Sequence, residues 1–584
     1  MNQNMSEVSW KVGGQQGEGI ESSGEIIATS LNRLGYYLYG YRHFSSRIKG
    51  GHTNYNIRIS VTPTGTIASN LDILIAFDQE TIDINAHELQ EHGIIIADAQ
   101  CKPTLKNTTG PEIYSVPLTE IAASFGSKLM KNIVSLGVSA ELLGANLEIF
   151  TSVIKSMFAK KSKEVINNNL HAFHAGAQFL RDHASHLTHK YSLIPVRPTP
   201  RMYMLGNEAI ALGAIAAGSR FMAAYPITPA SEIMEYMIKK IPALGGAVVQ
   251  TEDEIAACTM AIGANYGGVR SFTATSGPGL SLMAEGIGLA GMAEIPLVVI
   301  NTQRGGPSTG LPTKNEQSDV MAAIYNSHGE MPKVVMFPST VEEAFYDTIE
   351  AFNIAEEYQC PVIILTDLQL SLGKQTVEPL HYEKIQIRRG SLVEDAVLPV
   401  LAKSEYFKRF KVTDSGVSPR VIPGTINGMH LITGLEHNEV GKPAEDFHNR
   451  IAQMDKRLRK IQAVPAKYNL PVYSNAPHVE ADILIIGMGA SRGAIEEVIP
   501  KLTADHITVN HAHIRLLCPF PVEQLRPLLL SARRIIVVEH NATGQLAQLI
   551  RMNMVEAGRM TNLLKYDGGI FHATSLYEKC KEVL

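Results

Sequence analysis

Short apolar runs alternate with longer stretches of helical apolar spacing throughout this chain, and that alternation limits the folds open to it. Val8–Val12, Tyr55–Val61, Ile73–Ala76 and Gly93–Ala97 read as strands, with Leu118–Ser124 and Lys128–Leu143 as helices among them. The pattern returns in Val248–Thr251, Ser271–Ala274, Leu297–Asn301, Val334–Phe337 and Val362–Thr366, and again in Ile483–Gly487, Ile507–Asn510 and Arg534–Glu539. Strands and helices mixed in this way predict an α/β, multidomain protein. The alternation breaks twice. Ile194–Pro200 carries three prolines and reads as an extended linker. From Pro379 to Tyr473 polar residues rise and periodicity weakens, apart from a charged helix over Phe447–Ala463. The expected domains are 1–190, a Pro-rich linker 191–205, 206–378, an insertion or connecting segment 379–475, and 476–584.

Composition excludes several classes. Apolar residues make up 45% and charged residues 19%, as in globular proteins with sizeable cores. A net charge of −5 gives no electrostatic case for nucleic acid or an anionic membrane. Met1–Trp10 lacks the apolar core of a signal peptide, and there is no apolar run of about 18 residues, so a cytoplasmic location is expected. The nearest two of the five cysteines, Cys518 and Cys580, are 62 positions apart. Without a Cys-x-x-Cys step, no metal site and no iron–sulfur cluster is expected on this chain.

Several segments are candidate sites, each with a plainer alternative. Gly13–Gly19 lies between a strand and a helix. It reads as a tight turn or as a phosphate or coenzyme A contact through Gly14, Gly17 and Gly19. The acid that a dinucleotide fold wants about 20 residues on is missing from Tyr36–Arg42, which argues against NAD. Ser45–Thr53, with Arg47 and Lys49, is either a solvated loop or a holder for a carboxylate or phosphate. In Tyr225-Pro226-Ile227-Thr228-Pro229, two prolines restrict the backbone around the Thr228 hydroxyl; the same stretch would also serve as the start of a helix. Thr251 and Glu254 match a capping box, and Glu254 equally suits a buried acid facing a ligand. Arg304 should emerge at the carboxyl end of a strand, where a guanidinium clamps a carboxylate bidentately or joins an interface salt bridge. Gly487–Gly493 reads as a strand–helix turn.

Together these segments resemble the 2-oxoacid:ferredoxin oxidoreductases. Tyr225–Pro229, the helix after Thr251–Glu254 and Gln303–Gly310 look like the pyrimidine-binding half of that family. Gly13–Gly19 with Ser45–Thr53 resembles its γ domain, and the last unit is similar to a transketolase C-terminal domain. The order resembles that of a fused α subunit, and the resemblance misses mainly Pro379–Tyr473. The resemblance implies oxidative decarboxylation of a 2-oxoacid, with 2-oxoglutarate favoured over pyruvate, to an acyl-coenzyme A and carbon dioxide, ferredoxin taking the electrons. It gives Glu254 the contact to the aminopyrimidine ring of thiamine diphosphate, where burial would keep an acid protonated. Tyr225, Pro226 and Ile227 fall to the cofactor, and Thr228, Arg304 and Lys49 to the substrate.

The resemblance also implies a partner. The family's Gly-Asp-Gly diphosphate motif is absent; the nearest fragment is Asp567-Gly568-Gly569, a turn by its residues. A β subunit would supply Mg2+, the diphosphate loop and a 4Fe-4S cluster, in an αβ or α2β2 assembly. Competing readings are a non-catalytic assembly or regulatory subunit, a nucleotide-dependent dehydrogenase using Gly13–Gly19, and a thiamine-dependent ketol transferase.

Overall fold

The computed structural model describes residues 4–44, 51–105, 111–393, 398, 405–468, 472–475 and 480–584. It forms two compact units. The first holds Met1–Leu205, Leu372–Leu380 and His572–Thr574, and the second holds the rest.

The first unit is built on an eight-stranded sheet. Its strands are β1 (Glu7–Gln15), β2 (Tyr37–His43), β3 (His52–Ser60), β4 (Leu71–Ala76), β5 (Leu89–Asp98), β6 (Glu112–Val116) and β7 (Met202–Leu205), joined by Lys374–Val377. The spatial order is β6-β5-β4-β1-β3-β2, then Lys374–Val377, then β7. β1 pairs parallel with β4 and antiparallel with β3. Helices α1 (Ile20–Arg33), α2 (Lys131–Leu142) and α3 (Lys163–His183) belong to this unit. Trp10 is fully buried in its core, where the indole N–H donates to Ser139 Oγ at 3.0 Å.

Three sequence expectations change here. β1 continues through Gly13 and Gly14 to Gln15, so the glycine turn shrinks to Gln16–Gly19. The expected linker 191–205 ends in a sheet strand, β7. Lys374–Val377, expected in the domain 206–378, pairs instead with β2 and β7. Its Lys-Gln-Thr-Val sequence is half-buried and carries little of the apolar signature that marks a central parallel strand.

The second unit contains two sheets. The larger uses β8 (Phe221–Ala224), β9 (Ala247–Gln250), β10 (Ser271–Thr275), β11 (Leu297–Gln303), β12 (Val334–Met336) and β13 (Pro361–Asp367). The smaller uses β14 (Val472–Ser474), β15 (Ala481–Met488), β16 (Val509–Ile514), β18 (Ala532–Glu539) and β19 (Met560–Leu564), while β17 (Leu516–Cys518) crosses to the larger sheet. The larger sheet runs β17-β12-β13-β11-β10-β8-β9; β8 to β13 are all parallel, and β17 is antiparallel to β12. β10, β11 and β13 are buried along their whole length, as parallel strands covered on both faces must be. The smaller sheet runs β14-β16-β15-β18-β19. Its apolar faces share one core with the larger sheet, including Phe337, Ile363, Leu484 and Ile514.

The polar segment after Pro379 is not a free tether. It packs within the second unit through buried charges. Lys456 and Lys460 Nζ lie 2.6 Å and 2.9 Å from the two Glu294 carboxylate oxygens, and Arg409 donates to the Glu294 carbonyl at 2.6 Å. Burial works against the Glu294 charge, but Lys460, Lys456 and Arg409 outweigh it and hold the carboxyl well below its usual range. Burial lowers the Lys456 ammonium to about 8 in spite of Glu294. Removing the shared anion would leave two buried ammonium groups uncompensated. Glu294→Gln is therefore expected to cost about 3–5 kcal/mol of stability, read as a lower urea midpoint for the second unit; an unchanged midpoint would show that the network is energetically neutral.

Candidate functional site

In the larger sheet the carboxyl ends of β11, β10, β8 and β9 stand side by side in that order, and each sends a different loop to the same edge. Open parallel sheets bind ligands at this edge. β9 leads into α4 (Glu254–Tyr266). The N-cap of α4 is Asp253, whose carboxylate accepts from Ala256 N at 2.8 Å, and the Thr251 hydroxyl donates to the Asp253 carbonyl. The capping box expected from Thr251 and Glu254 does not form. Asp253 takes the cap, which leaves Glu254 free of that duty at the first position of the helix.

Glu254 is 6% exposed. Among the described residues nothing donates a hydrogen bond to its carboxylate. Beside it β10 passes through Ser276 into a helix, Gly277–Leu282, that opens with Gly277-Pro278-Gly279. A Cβ on Gly279 would stand 1.9 Å from Thr275 Oγ1 and 2.8 Å from Glu254 Oε1, so only glycine fits there.

β8 delivers the Tyr225–Pro229 segment. Tyr225 and Thr228 are exposed, Pro226 and Ile227 are half-buried and Pro229 is buried. The Thr228–Pro229 peptide is cis. Its neighbours hold the segment by both carbonyls: Asn207 Nδ2 donates to Pro229 O at 2.7 Å, and Arg304 Nη1 donates to Thr228 O at 2.6 Å. The helix that follows starts at Ser231, so the segment is both a helix start and a fixed edge loop.

Arg304 follows β11 and is 8% exposed. Among the described residues it forms no ion pair, and its Nε has no hydrogen-bond partner. Burial lowers its pKa, opposed by the charge of Asp319. Thr273 Oγ1, Ser276 Oγ and Asn301 Oδ1, on β10, after it and on β11, and Asn207 Oδ1, on the helix Gly206–Ala216, are likewise buried without partners. Polar atoms left open at one edge suit a ligand that supplies what they lack.

Thr228, Glu254 and Arg304 thus converge on one edge, and Tyr225, Pro226 and Ile227 border it. Lys49 lies outside the described residues. Gly14, Gly17 and Gly19 belong to the first unit, where an internal carboxylate already serves the turn: Gln15 N donates to Glu18 Oε2 at 2.9 Å, and Lys131 Nζ lies 2.7 Å from Glu18 Oε1. A Cβ on Gly14 would stand 2.6 Å from Glu18 Oε2, whereas Gly17 faces open space. Gly277, Gly279, Asn301 and Asp319 were missed in the sequence. The Gly-Pro-Gly after an apolar strand was a legible signal; Asp319, in a polar run, had none. Among the described residues no cluster of histidine, cysteine or acidic side chains could hold a metal, and no helix is long and apolar enough to cross a membrane.

Three family models match the chain. Residues 9–179 match pyruvate ferredoxin/flavodoxin oxidoreductase, residues 212–456 its thiamine diphosphate-binding part, and residues 481–573 pyruvate:ferredoxin oxidoreductase core domain II. A 2-oxoacid:ferredoxin oxidoreductase subunit alpha from Sulfolobus is 33% identical, with 99% of this chain and 97% of that protein covered. A 2-oxoglutarate synthase subunit KorA from Methanothermobacter thermautotrophicus is 37% identical over 64% of this chain and 96% of its own length. A 2-oxoglutarate:ferredoxin oxidoreductase from Magnetococcus marinus, solved with 2-oxoglutarate, coenzyme A and succinyl-CoA bound, superimposes with a TM-score of 0.91 at 34% identity, covering 99% of this chain and 100% of that one.

The glycine floor gives a direct test of the geometry. Gly279→Ala should force Thr275 and Glu254 aside and destabilise the second unit by about 1–3 kcal/mol, as overpacking does. Thermal unfolding measures it, and an unchanged midpoint would mean that the turn has room to spare.

Proposed function

The chain belongs to the alpha subunits of the 2-oxoacid:ferredoxin oxidoreductases, and from that premise we propose that it forms, with a β subunit, an enzyme that oxidatively decarboxylates 2-oxoglutarate. Coenzyme A accepts the succinyl group and ferredoxin the electrons. Two observations favour 2-oxoglutarate over pyruvate: the structural relative was solved with that substrate, and KorA proteins are among the similar sequences.

The observation that carries the reading is Glu254. A carboxyl group is buried, lacks a donor among the described residues and rests against the glycines that open the helix Gly277–Leu282 at the ligand-binding edge. These residues fit the aminopyrimidine ring of thiamine diphosphate, which needs an acid beside a ring nitrogen and little bulk around it. Bound there, thiamine diphosphate supplies the electron-accepting ring that lets a 2-oxoacid lose carbon dioxide. Glu254 would hold a proton at one carboxylate oxygen and share it with the ring nitrogen. Tyr225, Pro226 and Ile227 would border the cofactor. Arg304, with no ion pair among the described residues, would take a substrate carboxylate in its planar fork, and the Thr228 hydroxyl would orient the same substrate. Lys49 is assigned to the second carboxylate of 2-oxoglutarate, and Gly17 and Gly19 to coenzyme A. Mg2+, the diphosphate loop and the 4Fe-4S cluster are assigned to the β subunit.

Two experiments examine this. Glu254→Gln in the co-purified complex should fold and lose about 10²–10⁴-fold in turnover, as general acid–base groups do; near-normal turnover with normal thiamine binding would reduce Glu254 to a packing residue. Separately, methyl viologen reduction with 2-oxoglutarate and coenzyme A should appear only when both subunits are mixed. Full activity from this chain purified alone would overturn the division of labour between subunits.

A further inference from the structure

Asp319 has no role in the reading above, yet it is built into the same edge. It lies on the chain just beyond the loop that follows Arg304. Its backbone N–H donates to Gln303 Oε1 at 2.9 Å, and its carboxylate accepts from Asn301 Nδ2 at 2.9 Å, so β11 holds it from two sides. A Cβ on Gly277 would stand 2.9 Å from Asp319 Oδ2, as one on Gly279 would stand 2.8 Å from Glu254 Oε1. Two carboxyl groups therefore flank Gly277 and Gly279 at the start of one helix.

The relation of Asp319 to Arg304 is unusual for a buried cation and a half-buried carboxylate of opposite charge. Among the described residues neither forms an ion pair within 4.0 Å. Each nevertheless feels the other. Burial raises the Asp319 carboxyl, which the Arg304 charge and the Asn301 hydrogen bond counter; burial lowers Arg304, which Asp319 counters. A guanidinium committed to a contact ion pair would have to break it to receive a substrate anion. A lone buried cation would be costly before the substrate arrives. A carboxylate beyond contact distance meets both needs, at the cost of opposing any anion that Arg304 binds.

We propose that Asp319 is a positioning residue whose charge balances Arg304 in the empty site and then limits how tightly Arg304 grips the carboxylate of the 2-oxoacid. The inference rests on Arg304 being the carboxylate clamp. A tight grip is a disadvantage for a group that must turn over, because binding that is equal in the ground and transition states does not speed the chemical step.

The test is steady-state kinetics of the α–β complex with 2-oxoglutarate. Asp319→Asn keeps the side-chain shape and an oxygen for Asn301 but removes the charge. It should lower KM for 2-oxoglutarate about tenfold, which corresponds to a relieved charge–charge repulsion of about 1.4 kcal/mol. A residue needed only for packing would raise KM or lower kcat instead, so an unchanged or raised KM overturns the proposal. Asp319→Ser, which also drops the charge, repeats the measurement where the asparagine variant does not fold. Arg304→Lys separates the two readings. If it leaves KM unchanged, the clamp itself is wrong; if it raises KM while Asp319→Asn fails to lower it, the clamp stands and only the role of Asp319 falls.

Discussion

Parallel pairing of β8, β9, β10 and β11 is the constraint on which the site depends. Strands covered on both faces expose polar groups only at their ends. Because the four run the same way, their carboxyl ends share one edge, and residues 225–229, 254, 276–279 and 304 meet there although up to 79 positions separate them in sequence. Three of these connections are short, and the one after β11 runs over residues 304–319. Each needs only to leave its strand and present one or two groups before the next helix begins.

What the sequence revealed follows from this. Buried parallel strands are near-continuous apolar runs, so β10, β11 and β13 are legible to within a residue or two of their bounds. Arg304 is legible for the same reason, as the first charge after such a run. The edge and crossover strands were not. Lys374–Val377 is polar and half-buried, and β17 has three residues and joins a sheet built mostly from an earlier part of the chain. The helix cap was misread because Thr251 satisfies the capping pattern while Asp253, two residues later, satisfies the geometry. Asp319 could not be found by pattern at all. Its environment comes from Asn301, Gln303 and Gly277, which are remote in sequence, and only folding shows that they surround one carboxylate.

Buried charge has two uses in the second unit, and they differ in geometry. Glu294, Lys456 and Lys460 are in contact and closed to solvent, which pins a polar segment to an apolar body. Arg304 and Asp319 feel each other's charge without pairing, and Arg304 keeps its Nε without a partner. Contact pairs the charges and makes structure; separation leaves the guanidinium open and makes a site.

The excursion of Leu372–Leu380 has a consequence for how such a chain can be divided. The polypeptide leaves the second unit, inserts a strand between β2 and β7 of the first, and returns. A gene cut at the Leu205/Gly206 boundary would separate two compact bodies and still remove an interior strand from one of them. The remaining sheet would expose the unpaired backbone of β2 and β7, an invitation to aggregation unless a new segment covered it. Splitting the chain into two polypeptides therefore demands a replacement strand as well as a new terminus.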